Sequence, residues 1–222
     1  MKTRLNKEKI KILIVDDHPI FRNGLSQLIN SEDDLIVCGE AEDTFTAQKL
    51  IRELSPDIVI IDIILKDSNG IELIKDINIK YPEVFTLTLS LHDEMIYAER
   101  VLRAGCKGYV MKDKAPDMLI TAIRNILKGN IHVSDDVSNK LFSKMIKGKS
   151  SLESSPLDLL TDRELEIFKM IGKGFNSRKI ADKLHISIKT VENHRANIKE
   201  KLCYKNNIEL IQGATLWIDR GA

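Results

Sequence analysis

The hydrophobic positions of this chain follow two rules, and the change between them falls near residue 130. From Lys9 to Lys128, short apolar runs alternate with stretches in which apolar residues recur every three or four positions. The runs predict strands at Lys11–Val15, Leu35–Ala41, Ile58–Leu65, Val84–Leu89 and Gly108–Met111. The central runs lack in–out alternation, the pattern of strands covered on both faces. The first intervening helix is predicted from Pro19, with Ile20, Phe21, Leu25, Leu28 and Ile29 at helical spacing. Thr44–Leu54 is predicted as the second, stopped by Ser55-Pro56, and the third runs through Ile71, Leu73, Ile74 and Ile77 after Asn69-Gly70. Asp93–Ala104 and Pro116–Lys128 complete the set, closed by Gly105 and Gly129. Five strand–helix repeats predict an α/β fold, a doubly wound five-stranded parallel sheet with helices on both faces.

Beyond residue 130 the period of 3.6 takes over. Val137, Leu141, Phe142, Met145 and Ile146 can line one face of a linker helix, followed by a flexible joint at Gly148-Lys149-Ser150-Ser151 and Ser154-Ser155-Pro156. Thr161-Asp162-Arg163-Glu164 reads as a capping box opening a helix to Lys173, ended by Gly174. Further helices are predicted at Asn176–Leu184, Ile188–Leu202 and Ile208–Ile218, the last with Leu210, Ile211, Ala214 and Trp217 on one side. The expected organisation is a first domain at 8–130, a linker at 131–155 and a small all-α domain at 156–222.

Charge separates the two halves more sharply than the net +1 suggests. Residues 1–130 carry 18 Lys and Arg against 21 Asp and Glu, whereas residues 173–205 carry 9 against 3. An acidic front and a basic patch behind it imply two tasks, the second on a polyanion. Three scattered cysteines, Cys38, Cys106 and Cys203, offer neither a disulfide framework nor zinc-ligand spacing, which fits a reducing cytoplasm. No signal peptide and no membrane span are expected.

One charge is out of place. Asp62 sits inside Ile58-Val59-Ile60-Ile61-Asp62-Ile63-Ile64-Leu65, where an uncompensated carboxylate costs several kcal/mol or more. At the carboxyl end of a strand it faces instead the crevice where open α/β sheets hold their ligands. The commonest five-stranded order places the first strand beside the third, so Asp16 and Asp17 meet Asp62 there. Carboxylates about 4 Å apart repel by roughly 4 kcal/mol at an effective dielectric of about 20, so a cation is expected among them. An oxygen-only ligand set suits Mg²⁺. Lys112 adds positive charge from the end of the fifth strand and Ser90 a hydroxyl from the fourth. Carboxylate, Mg²⁺, lysine and hydroxyl together make a phosphoryl-transfer site with Asp62 as nucleophile. Taken singly, each has a plainer reading as a helix cap or a solvated loop residue.

Val15-Asp16-Asp17-His18-Pro19, Ile60-Ile61-Asp62, Asn69-Gly70, Leu89-Ser90 and the run Ala104 to Lys112 resemble the receiver domain of bacterial two-component response regulators, which has a flavodoxin-like sheet. The resemblance implies that Asp62 accepts a phosphoryl group from a sensor histidine kinase. It implies that Asp16, Asp17, Asp62 and the backbone carbonyl of Ile64 hold Mg²⁺, and that Ser90 and Lys112 bind the phosphoryl oxygens. Tyr109 is implied to change rotamer as Ser90 moves. Lys66 stands where the family usually has proline, and Ile64 and His92 occupy positions that tune phosphoryl lifetime. Ile64 also leaves no second acid two residues after Asp62, so the chain reads as a phosphoacceptor, able at most to lose its own phosphoryl group, and not as a turnover enzyme.

In the second domain, Ile180 to Ser187 joins two short helices by a tight turn, with Ser187 placed to cap the second. That is helix-turn-helix spacing, whose second helix enters the DNA major groove. Val191, Ile198 and Leu202 are its expected core face, and Lys189, Thr190, Glu192, Asn193 and Asn197 its polar positions. Asn193 can read adenine and Glu192 can accept from cytosine, while Lys179, Lys189, Arg195 and Lys199 are expected on phosphates. His194 has no partner at metal-ligand spacing and is expected packed or phosphate-facing. Leu160 to Glu166, Gly174 to Ala181 and Lys189 to Arg195 resemble the LuxR-type (NarL/FixJ family) DNA-binding domain, in which the last helix, here Asn206–Asp219, is often a dimer contact. The expected function is a cytoplasmic transcription regulator that binds double-stranded DNA as a homodimer once phosphorylated. Its rivals are a phosphorylation-independent DNA binder with a docking receiver, and an aspartyl-phosphate phosphatase or phosphotransferase.

Overall fold

The computed structural model describes residues 9–65, 68–91, 93–147 and 156–219, which fall into two compact units that divide between Phe142 and Ser143. Lys66, His92 and the expected joint at 148–155 lie outside the described residues.

The first unit holds strands β1 (Ile10–Val15), β2 (Leu35–Ala41), β3 (Ile58–Ile61), β6 (Phe85–Ser90) and β7 (Gly108–Met111), hydrogen-bonded in parallel in the order β2-β1-β3-β6-β7. Chain order reverses between β1 and β3, as expected. Ile12, Ile14, Ile58 and Ile60 join one core cluster with α1 (Pro19–Asn30) and α5 (Ala115–Leu127). Leu13, Val15, Val59 and Ile61, of the opposite register, are equally buried, so both faces of the central strands are covered. Helices α2 (Thr44–Leu54), α3 (Gly70–Lys80) and α4 (Glu94–Arg103) complete the unit's repeats. Asp43, Asn69 and Asp93 cap them through their side chains.

The apolar run around Asp62 is not one strand. β3 stops at Ile61, and Ile64–Leu65 (β4) pairs antiparallel with Ser68–Asn69 (β5) in a separate hairpin. Asp62 still donates its backbone N–H to Val15 (2.9 Å), so it leaves the sheet at the last rung. Gly70 explains the Asn69-Gly70 pair. Its N–H donates to the Ile63 carbonyl (2.8 Å), and a Cβ there would stand 2.0 Å from the Asp62 carbonyl oxygen.

The stretch expected as a linker begins inside this unit. His132 pairs with Gly108 alongside β7, and Val137, the first apolar position of α6 (Asp135–Lys147), is buried. Phe142 and Ile146, expected on the same face, are exposed.

In the second unit, Thr161 and Glu164 form the expected capping box at the start of α7 (Asp162–Gly172), and Gly174 follows with φ +81°. Asn176 caps α8 (Ser177–Leu184), Ser187 caps α9 (Ile188–Lys201), and α10 (Asn207–Asp219) packs on α7. Leu165, Phe168, Ile180, Val191, Ile198, Leu210 and Ala214 fill the core, with the Trp217 and Phe168 rings 5.6 Å apart. A Cβ on Gly172 would lie 2.4 Å from the Ala214 carbonyl, which is how closely α7 and α10 approach. Ile211, expected with Leu210 on the packed side, is exposed.

Candidate phosphoacceptor hollow and nucleic-acid interface

Four strands deliver the predicted residues to one place. Asp16 follows β1 and keeps its backbone N–H on Ala41 (3.0 Å), Asp62 follows β3, Ser90 ends β6, and Lys112 follows β7. Asp16, Asp62, Ser90 and Lys112 are each 5% exposed or less. Lys112 Nζ lies 2.5 Å from Asp16 Oδ2 and 2.7 Å from Asp62 Oδ2, and 4.6 Å above the Phe21 ring. One ammonium therefore serves two buried carboxylates, with a ring beneath it contributing a cation–π contact of about 1 kcal/mol. Burial pushes the Asp62 carboxyl above its usual range, against the pull of Lys112, and nearby Asp16 adds to the rise.

Asp16, Asp17, His18 and Asp62 each bring a ligand atom to within 4.8 Å of the others, the one such cluster among the described residues. Asp17 Oδ1 is buried without a hydrogen-bond partner among the described residues, with His18 Nδ1 at 2.7 Å outside hydrogen-bonding geometry. Oxygen donors in surplus over cations, one of them unsatisfied, fit a small hard cation such as Mg²⁺. Lys112 already offsets part of the repulsion, so the hollow does not depend on a divalent ion to the degree the sequence implied.

Behind Asp62, Tyr109 is 1% exposed and shares a hydrogen bond with Ser90. Burial, the largest cause, raises its phenol well above the usual range. Sequence reasoning passed over two neighbours. Arg22 donates to the Asp16 backbone carbonyl (2.5 Å), and Phe21 forms the floor under Lys112. Their signal was their position, one turn into the helix that starts beside Asp16-Asp17.

In the second unit, α8 and α9 meet through a turn in which His185 adopts φ 50°. Lys189, Asn193 and Asn197 share the exposed side of α9 at i, i+4 spacing, with Lys179 exposed on α8. Thr190 and Lys199 are half-buried. Arg195 departs from expectation. It is 8% exposed, donates from Nη1 to Ser177 Oγ (3.2 Å) and has Nε 3.9 Å from Glu192 Oε2. Its core-side position removes it from the phosphate-facing set. Glu192 accepts from Ser177 Oγ (2.5 Å), so its carboxylate is held across to α8 instead of standing free for a cytosine. His194 is half-buried, and burial lowers its imidazole pKa, consistent with packing.

Two buried glutamates brace this unit. Glu164 accepts from Lys201 Nζ (2.6 Å) at the end of α9. Glu166 accepts from Arg163 Nη1 (2.8 Å), whose Nη2 donates to the Leu184 carbonyl (3.0 Å) at the end of α8. The Thr161 to Glu166 wording thus ties α7 to the ends of both helices of the turn.

Comparison with known proteins places both units. The family model for the response regulator receiver domain matches residues 12–124, and that for bacterial regulatory proteins of the luxR family matches residues 158–214. The transcriptional regulatory protein DegU of Brevibacillus brevis is 34% identical over 215 residues, 91% of each chain. The oxygen regulatory protein NreC of Staphylococcus haemolyticus is 35% identical over 209 residues, 92% of this chain and 96% of that one. A structure of RcsB from Salmonella enterica serovar Typhimurium, bound to promoter rprA with the phosphomimetic BeF3⁻, matches with TM-score 0.61 and 26% identity over 94% of this chain and 99% of that one. No helix among the described residues is long and apolar enough to cross a membrane. With a receiver domain ahead of a luxR-family helix-turn-helix, and relatives alike over nearly their whole length, the chain belongs to the DNA-binding response regulators of the NarL/FixJ family.

Proposed function

We propose that this regulator works in the cytoplasm, where a sensor histidine kinase phosphorylates Asp62 and the modification switches DNA binding by the second unit. The observation that carries this reading is the placement of Lys112 Nζ between Asp16 and Asp62 with Asp17 alongside, because these are the groups an incoming phosphoryl must meet. An Asp62 carboxylate oxygen attacks phosphorus, the bond from phosphorus to the kinase imidazole breaks, and that nitrogen leaves with the bonding pair. Lys112 and the Ser90 hydroxyl bind the equatorial oxygens. Asp16, Asp17, Asp62 and the Ile64 carbonyl are the groups proposed to hold Mg²⁺, which when bound neutralises charge on the moving group.

A phosphoryl oxygen that engages Ser90 draws it from Tyr109, and the freed ring changes rotamer. The second unit then binds double-stranded DNA as a homodimer, with α10 as the contact and its exposed Ile208, Ile211 and Leu216 as the apolar surface for it. Asn193 is proposed to read a base edge with Asn197 beside it, and Lys179, Lys189 and Lys199 to meet phosphates. The two half-sites would lie about one helical turn apart.

The test is intact mass after incubation with acetyl phosphate and Mg²⁺, paired with DNA affinity. One added phosphoryl group, absent from Asp62→Asn, with tighter DNA binding in the modified protein is expected. The Lys112 bridge supports a second reading, since it offsets part of the repulsion in the hollow without metal or phosphate: a docking receiver whose partner unit binds DNA unconditionally. Equal DNA affinity with and without the modification would establish it.

A further inference from the structure

We propose that Glu94 is a further residue of the switch, a positioning residue that clasps the segment after α5 in a place set by Ser90 and Tyr109. This rests on the phosphorylation reading above. Among the described residues, hydrogen bonds along β7 and to α4 fasten residues 132–140 within the first unit. The Tyr109 N–H donates to the His132 carbonyl (2.8 Å) and the His132 N–H to the Lys107 carbonyl (2.9 Å), which lays the segment along β7. The Ser134 N–H donates to Glu94 Oε1 (2.8 Å), and Lys140 Nζ donates to the Met95 carbonyl (2.8 Å), which pins it to the first turn of α4.

Ser134 stands at the threshold of α6, where its carbonyl already accepts from Ser138 (2.9 Å) while its own N–H has no place in the helix ladder. A carboxylate satisfies that donor and adds negative charge at a helix N-terminus, both favourable. Each side of the clasp leads back to the same pair. Glu94 follows Ser90 by only four residues, and Tyr109, whose hydroxyl is bonded to Ser90, holds His132 through its own backbone. The charge of Glu94 also acts on the Tyr109 phenol. When Ser90 moves toward a phosphoryl group, the turn into α4 moves with it, and the hold on Ser134 is released.

Hydrogen exchange of the full chain, read by mass spectrometry, tests this with acetyl phosphate and Mg²⁺ as the phosphorylating probe. Phosphorylation should speed exchange in peptides spanning 131–140 by roughly tenfold, the order expected from losing one charge-assisted hydrogen bond. Glu94→Ala should show that fast exchange from the start and gain nothing further on phosphorylation. Glu94→Gln, whose amide oxygen accepts the same N–H, should restore both slow exchange and the response. Protection of 131–140 that is unchanged in protein of confirmed phosphorylated mass overturns the proposal, as does wild-type exchange in Glu94→Ala. A mass that never rises refutes the phosphorylation reading, and the switch with it, while the Ala and Gln variants still report whether the clasp exists.

Discussion

Both units bury charge, and they do so with opposite bookkeeping. In the first, Asp16 and Asp62 share a single lysine, with Asp17 at the rim, so negative charge is in surplus. In the second, Glu164 has Lys201 and its own helix cap, and Glu166 has Arg163. The Asp62 carboxyl is pushed up by burial faster than Lys112 can pull it down, as Glu166 is despite Arg163. For Glu164, burial is again the largest single influence, but the bonds from Lys201 and Thr161 together outweigh it and hold the carboxyl below its ordinary value. A buried charge alone therefore does not mark a functional site. An unbalanced one does, because the imbalance is what a cation or a phosphoryl group can relieve.

The comparison breaks if the braces of the second unit prove dispensable. Arg163→Ala should cost about 3 kcal/mol, since it leaves Glu166 buried without its cation and the Leu184 carbonyl without a donor. Trp217, the single tryptophan, lies in α10 and reports denaturant unfolding of that unit by fluorescence.

Neutralising one acid in each unit should act with opposite signs, by roughly 1–2 kcal/mol. Asp62→Asn should stabilise the first unit in metal-free buffer, as it removes a charge that burial disfavours. Glu164→Gln should destabilise the second at neutral pH. Because the folded Glu164 titrates below its unfolded value, its contribution is present above about pH 4.5 and lost as pH falls through the lower folded value. Glu166 runs the other way: burial raises it despite Arg163, so its contribution declines as pH rises from about 4.5 through its raised folded value. Calorimetric scans between pH 3 and 7 should show a shallower acid-side loss for Glu164→Gln than for the parent chain. A parallel loss would remove Glu164 from the account.

The smallest effect separates the two kinds of cation on α9. Lys189→Ala should flatten the slope of log affinity against log salt by about one. Arg195→Ala should weaken DNA binding with that slope unchanged, because the buried guanidinium is engaged with Ser177 and Glu192. A flattened slope in Arg195→Ala would return it to the phosphate-facing set.

Much of this was legible in the chain. Unbroken apolar runs placed four of the five sheet strands within a residue or so, and the strand-end rule brought Asp16, Asp62, Ser90 and Lys112 together. The hairpin after Ile61 was hidden because Ile63, Ile64 and Leu65 continue the apolar run, so composition gave no sign of the turn that Gly70 makes possible. Arg195 was readable and overlooked: it stands four residues after Val191 and three before Ile198, the spacing of a packed helix face, but its charge argued for solvent. Glu94 acts through the backbone of Ser134, forty residues away in sequence, and no local pattern announces such a pair.

One contact bears on how the molecule is taken apart. The hydrophobic pattern invites a cut after residue 130, yet His132 is the residue that covers the outer rim of β7 beside Gly108. An isolated receiver trimmed there would expose a raw sheet margin, a template for pairing with another copy. Self-association of such a fragment would then report the scissors, and the dissection should extend to Phe142.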